Sequence, residues 1–361
     1  MKKVFLLTLV LSLALVLVAG CAPDPVDDVP DNDVPDNDVP ENDVPDAEGV
    51  STLGLGIVTK IGRSVDYDED EEILPMGQVD TTIAAATFDQ DGRVVDVMFD
   101  VAQVRIRFDE ELQLASDPTE PILSKRELGD DYGMRRASEI EREWDEQIAD
   151  LEVWMVGKTL DEIFALDRDE GGYPQDPDVV TVVTMTVSDY FAALEKAYEN
   201  RVEVQEGAEM LGLGHNIAIN RSVGYDADNE IMPMAQADVN IAAVAFSETG
   251  QVAAVLIDAA QTRINFDEEG QVTSDRTALY PTKKELGDDY GMRVASEIER
   301  EWDEQIADLE AWMVGKTVDE ITGLEVDEGG YPDEDTDLIT MVTMRVTAYL
   351  AALEEAYAKA R

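Results

Sequence analysis

The chain has 361 residues, with 27 basic and 81 acidic side chains for a formal charge of −54, and its 44% hydrophobic content suffices for packed cores. Residues 51–361 alone carry 25 bases against 70 acids, a field that repels phosphate backbones and excludes nucleic-acid binding by charge. One Cys and one His exclude a disulfide framework, a thiolate zinc site, an iron–sulfur cluster and a haem attachment, and leave little material for a nucleophilic triad.

Residues 1–20 read as a lipoprotein signal. Lys2 and Lys3 precede an apolar run, residues 4–18, that is short for a membrane span. The run ends in Leu17-Val18-Ala19-Gly20-Cys21, a lipobox pattern that makes Cys21 an acylated anchor rather than a redox group. The expected location is therefore the extracytoplasmic face of the cell membrane, with the lipid as one partner. Residues 21–50 continue as an acidic tether in which Val29-Pro30-Asp31-Asn32-Asp33 recurs from Val34, Val39 and Val44. Proline at every fifth position with flanking carboxylates favours extended, self-repelling chain at about 3.1 Å per residue. A calcium-binding tract is the alternative, but Asp-Asn-Asp lacks the turn Gly and bidentate Glu of a calcium loop.

Everything after the tether occurs twice, with a register difference of 158. Gly54-Leu55-Gly56 matches Gly212-Leu213-Gly214, and residues 127–163 differ from 285–321 only at Arg136/Val294, Val153/Ala311 and Leu160/Val318. After one inserted residue following Tyr331, Tyr190 pairs with Tyr349. The boundary falls in the polar stretch 199–207, so the copies are 51–203 and 208–361. Each reads as strands followed by helices. The expected class is α+β, two tandem duplicated domains, each an antiparallel sheet packed with C-terminal helices.

In chain order, residues 78–88 alternate in hydrophobicity, Asp89-Gln90-Asp91-Gly92 makes a hairpin turn, and residues 93–108 return as a long strand. Ser247-Glu248-Thr249-Gly250 repeats the turn, and Asp267-Glu268-Glu269-Gly270 continues the meander. Ser138-Glu139-Ile140-Glu141 reads as a capping box opening a helix with Ile140, Trp144, Ile148, Leu151 and Met155 on one face. Trp144 and Trp302 on that face are read as core rather than as cofactor-stacking groups. Val187, Tyr190, Phe191, Leu194 and Tyr198 line a second helix that ends the copy.

Val156-Gly157-Lys158-Thr159 is not a phosphate loop, because Glu152 stands where the pattern needs Gly. Thr159-Leu160-Asp161-Glu162 is a capping box instead. His215 has Ile57 as its counterpart and is read as a surface or strand-packing residue, with no metal role. The acidic loops 66–72 and 226–230 lack the Gly and distal Glu of an EF-hand and are read as solvated charge. So acidic a surface suggests a protein working in high salt. The most distinctive segment is a loop in which two glycines flank Asp130-Asp131-Tyr132, repeated as Asp288-Asp289-Tyr290, a candidate ligand loop.

The order of parts resembles the FMN-binding domain of extracytoplasmic bacterial redox proteins. The resemblance is carried by residues 87–97 and by a run before the last helix, Asp178-Val179-Val180-Thr181-Val182-Val183-Thr184 in copy one and Asp337-Leu338-Ile339-Thr340-Met341-Val342-Thr343 in copy two. In the family the motif is Asp, two residues, then Ser-Gly-Ala-Thr, and flavin transferase links FMN to its Thr. Here Val182 and Met341 replace the Gly, and Val183 and Val342 replace the Ala. The resemblance implies FMN at Thr184 and Thr343 with Asp178 and Asp337 beside them, and a flavin transferase and redox partners in extracellular electron transfer. The other reading of residues 179–187 is a buried strand running into the helix. The residues thus leave two functions open: a flavin-bearing electron carrier, or a non-catalytic envelope lipoprotein binding a small ligand, a cation or a protein. Neither is an enzyme acting on a substrate.

Overall fold

The computed structural model describes residues 49–334 and 336–361; residues 1–48, which include the segment read as a signal, Cys21 and most of the stretch read as a tether, lie outside the described residues. In copy one, β1 (Thr52–Lys60), β2 (Met76–Phe88) and β3 (Val94–Arg107) form an antiparallel meander. Helices α1 (Lys125–Leu128), α2 (Trp144–Met155), α3 (Leu160–Phe164), α4 (Pro177–Val180) and α5 (Ser188–Glu199) follow, and β4 (Val202–Glu203) pairs with β1 to give the sheet order β3-β2-β1-β4. Copy two repeats the plan with β5 (Ala208–Ala218), β6 (Met234–Ser247) and β7 (Val252–Asn265) in order β5-β6-β7, then α6 (Lys283–Leu286), α7 (Trp302–Met313), α8 (Val318–Thr322) and α9 (Thr347–Ala358). The class is α+β, as the order of strands and helices implies.

The period-two pattern sorts side chains into two different cores. On β2, Val79, Ile83 and Ala85 point into a core shared with Leu211, Leu213, Ile241 and Leu256 of copy two. Ala84, Ala86 and Phe88 point the other way, onto Trp144, Ile148 and Phe191. Copy two is arranged likewise, with Val244 and Phe246 against Trp302 and Leu353. The two sheets therefore lie face to face, β1 against β7, β2 against β6 and β3 against β5, with helices on both outer faces. Strands buried on both faces need apolar residues in succession, which accounts for Ile83-Ala84-Ala85-Ala86. Phe108 and Phe266 meet edge-to-face at 5.2 Å in the shared core.

The repeated Gly-Leu-Gly has a steric cause. A Cβ on Gly54 or Gly56 would stand 2.0 or 1.9 Å from the carbonyl oxygens of Ala197 or Ala193, so α5 lies directly on the β1 backbone. Gly212 and Gly214 admit α9 in the same way. The hairpin glycines Gly92, Gly250 and Gly270 take φ of 76°, 75° and 75°, as their turns require.

Two local expectations are corrected. The helix expected from Ser138 begins instead at Trp144, with Glu143 and Glu146 forming the capping box. Ser138 is unavailable as a cap because its hydroxyl accepts from Gln147 Nε2 at 3.1 Å, and Glu141 sits at φ 52°. Residues 179–187 do not form a strand: Asp176 caps α4 with Pro177 in its first turn, and irregular backbone then leads to α5.

Candidate functional site

The cleft of copy two is assembled from the loops around α7. The first is the turn Gly287–Tyr290, which φ of 48° at Gly287 and 76° at Gly291 make possible. Asp288 ties down Arg293 at 3.0 Å, and the buried Glu301 accepts from the backbone of Met292 and Arg293 at 2.8 and 3.0 Å. These bonds fix Tyr290, whose ring lies 4.9 Å from Lys283 Nζ; the same ammonium is 5.2 Å from the Trp302 ring. Trp302 donates through Nε1 to Tyr349 Oη at 3.0 Å, and burial pushes the Tyr349 phenol up, so it stays neutral.

On the opposite wall, Gln305 Oε1 accepts from Thr343 N at 2.9 Å and from its hydroxyl at 3.4 Å, while Gln305 Nε2 donates to Ser296 at 3.1 Å. Arg345 lies over the Tyr331 ring at 5.6 Å. Of these, Lys283, Tyr290, Ser296, Trp302, Tyr331, Thr343, Arg345 and Tyr349 line a cavity of about 1160 Å³, to which Arg221, Glu297, Asp327 and Glu334 also contribute. Asp327 is committed to its own turn, accepting from Gly329 N and Tyr331 N at 2.8 and 2.9 Å. The wall combines four aromatic rings, Tyr290, Trp302, Tyr331 and Tyr349, with charged groups of both signs, and the rings suit a planar ligand.

Copy one keeps the framework. Lys125 stands 5.0 and 5.7 Å from the Tyr132 and Trp144 rings, Trp144 donates to Tyr190 at 2.8 Å, and Gln147 Oε1 accepts from Thr184 N at 2.8 Å. The neighbouring cavity is about 290 Å³, is lined by Lys60, Asp189 and Tyr190, and does not reach Thr184. Lys60 and Asp189 form an ion pair there, whereas the corresponding residues of copy two are Ala218 and Ala348.

The candidate residues divide accordingly. Tyr290 and Thr343, drawn from two separate motifs, share one cleft. Asp178 and Asp337 are exposed at the starts of short helical turns, and Asp130, Asp131, Asp288 and Asp289 are exposed on the loop rim. Asp130 mirrors Asp288 in holding Arg135 at 2.9 Å. Trp144 and Trp302 are 2% exposed and belong to the core, although Trp302 also contributes to the cleft wall.

His215 is where the structure departs most from the sequence reading. It is buried on β5, the strand-packing alternative rather than the surface one, and its Nε2 lies 3.2 Å from Asp100 Oδ2, across the two copies. Glu127 and Glu355 approach the ring at 3.9 and 3.8 Å. These three residues bring potential metal ligands within 4.8 Å of one another, but the Lys359 ammonium already pairs with both carboxylates. Burial pushes the His215 ring down, yet the hydrogen bond and charge of Asp100 hold it above its ordinary value. Asp100 is raised by burial and, more strongly in sum, held below its ordinary value by His215 and Ser124. The one signal in the sequence was the asymmetry itself, His215 opposite Ile57 in otherwise similar strands.

Comparison with protein-family models, with curated proteins and with solved structures finds no match for this chain.

Proposed function

We propose that this is a lipid-anchored, extracytoplasmic carrier that holds FMN, or a planar anionic aromatic ligand of that size, in the cleft of its second copy. One observation carries the reading: Thr343 stands on the wall of a cavity shared by Tyr290, Trp302, Tyr331 and Tyr349 with Arg221, Lys283 and Arg345. Glu297, Asp327, Asp333 and Glu334 line the same cavity, so Arg221, Lys283 and Arg345 are the groups that would meet an anionic tail while the aromatic rings would meet a flat ring. Bound FMN would supply the electron chemistry; the protein would supply position and electrostatics. Tyr290 and Trp302 would flank the ring, the cations would meet the phosphate, and Gln305 with Ser296 would hold Thr343. The partners on this reading are a flavin transferase and redox proteins, with electron transfer rather than substrate turnover as the activity.

A second reading, the same ligand held without a covalent bond, is favoured by Val342. It replaces the family's small Ala and is wholly buried, which covers the backbone beside Thr343. The test is an intact mass and visible spectrum of the exported chain produced alongside a flavin transferase. One FMN increment, lost in Thr343→Ala and kept in Thr184→Ala, is the expected result. Flavin colour at the apo mass moves the ligand to the non-covalent form, and a colourless protein at the apo mass overturns both readings.

A further inference from the structure

Two cradles at the junction of the copies are built from corresponding residues and filled differently. In copy one, Asp100 accepts from Ser124 Oγ at 2.7 Å and from the backbone N of Arg126 at 3.2 Å. Glu152 Oε1 accepts from Phe99 N at 2.7 Å and pairs with Arg126. In copy two, Asp258 accepts from Thr282 and from Lys284 N, and Glu310 Oε1 accepts from Ile257 N at 2.6 Å and from Lys284 Nζ at 2.5 Å. Residue for residue, these are one design.

The difference lies in the cations. The copy-one cradle receives two from the far copy: His215 at Asp100, and the Arg361 guanidinium, whose Nη2 donates to Glu152 Oε2 at 2.9 Å and to Val97 O at 2.7 Å. The counterpart of His215 is Ile57. The counterpart of Arg361 is Val202, since Arg361 bonds to Leu211 at the edge of β5 as Val202 pairs with Leu53 at the edge of β1. Both replacements are apolar. Glu310 Oε2, the atom matching the arginine acceptor, has no hydrogen-bond partner among the described residues, although the side chain is only 14% exposed. Beside it is a cavity of about 320 Å³, lined by Leu55, Ile57, Val202 and Leu256 together with three carboxylates, Asp258, Glu285 and Glu310, and one ammonium, Lys284.

We infer that this cavity is a binding site for a monovalent organic cation, a guanidinium or primary ammonium on a short apolar stem. The molecule's own Arg361 shows what the cradle takes when an arginine is within reach. Val202, Ile57 and Leu256 would cover the stem, and Glu310 Oε2 would accept from the head group. The neighbouring charges are already matched, because Lys196 pairs with Glu285 and donates to Ile57 O at 2.9 Å. The two aspartates record the difference, since burial pushes Asp258 up whereas His215 holds Asp100 down; the two glutamates, Glu152 and Glu310, are both raised by burial.

The probe is butylguanidinium, titrated into the full chain by calorimetry. Saturable binding at one site, with a dissociation constant on the order of millimolar, is expected. Glu310→Gln weakens it about tenfold or more, the worth of one charged hydrogen bond. Val202→Arg abolishes it, because the new side chain occupies the cradle as Arg361 does in the other copy. Thr343→Ala leaves it unchanged, which separates this site from the aromatic cleft. Heats that do not saturate, or saturable binding indifferent to Val202→Arg, overturn the inference. Val202 is 37% exposed, so that variant tests the site even where Glu310→Gln fails to fold.

Discussion

His215 couples the two copies through charge. Asp100, Glu127, Glu355 and Lys359 face its ring, and Asp100 is the closest carboxylate at 3.2 Å. Because its pKa in the fold is raised above the ordinary 6.5, the protonated ring contributes stability that is fully present below that value. The contribution is lost as pH rises through the folded pKa. Asp100, held below its ordinary value, contributes stability that is lost only as pH falls through its own depressed pKa. Between those limits the pair is charged on both sides. His215 is the only histidine, so its ring protons give one NMR titration curve with no assignment problem. A midpoint above 6.5 is expected in the folded chain, and a midpoint at or below 6.5 refutes the coupling. His215→Gln should remove the loss of stability on the alkaline side of that midpoint and shrink the acid limb as well, because His215 is the main group holding the buried Asp100 carboxyl down.

At the scale of elements, the tightest constraint is the seat of α5 on β1. A methyl at position 56 would meet the Ala193 carbonyl at 1.9 Å, and that atom belongs to a helix backbone rather than to a side chain that can swing away. Gly56→Ala should therefore cost about 3 kcal/mol, at the upper end of overpacking substitutions, read as a fall in denaturation midpoint. Gly49→Ala, with nothing within 4 Å, should cost little. A small loss at position 56 would mean that α5 is not seated as described. The Gly-Leu-Gly repeat was visible in the sequence, and so were β2, β3, the hairpin turns and the apolar faces of α2 and α5, because each follows from local periodicity and turn chemistry; β1 and β5 were not read as strands. The Ser138 box was misplaced because Gln147, nine residues on, claims the serine hydroxyl. The pairing of Asp100 with His215, 115 residues apart, was not legible, because a strand with two apolar faces does not reveal which face meets another sheet. The cleft was half legible: Tyr290 and Thr343 stood out separately, and only folding brings them to one wall.

For the whole molecule, the shared core and the net charge act in opposite directions. Leu55, Ile57 and Ile83 of copy one are buried against Leu213, Ile241 and Leu256 of copy two, so neither copy can open without exposing the other's apolar sheet face. Unfolding should then be a single transition for residues 49–361, rather than one for each copy. Against that cohesion stands self-repulsion, since acids outnumber bases 81 to 27. Salt weakens both attraction and repulsion among exposed charges beyond roughly 10 Å at 0.1 M ionic strength. Local attractions exist, such as Arg293 among Asp288 at 3.0 Å, Glu304 at 3.2 Å and Glu301 at 3.8 Å. Exposed pairs of this kind are worth about 1 kcal/mol or less each, and with three acids for every base most carboxylates lack such a partner. Repulsion therefore dominates the salt response, and the melting temperature should rise steeply from low salt to molar potassium chloride while the transition stays single. A melting temperature that holds on dilution would show that the acidic surface is not tuned to high salt. Two separate transitions would show that the sheets do not depend on each other.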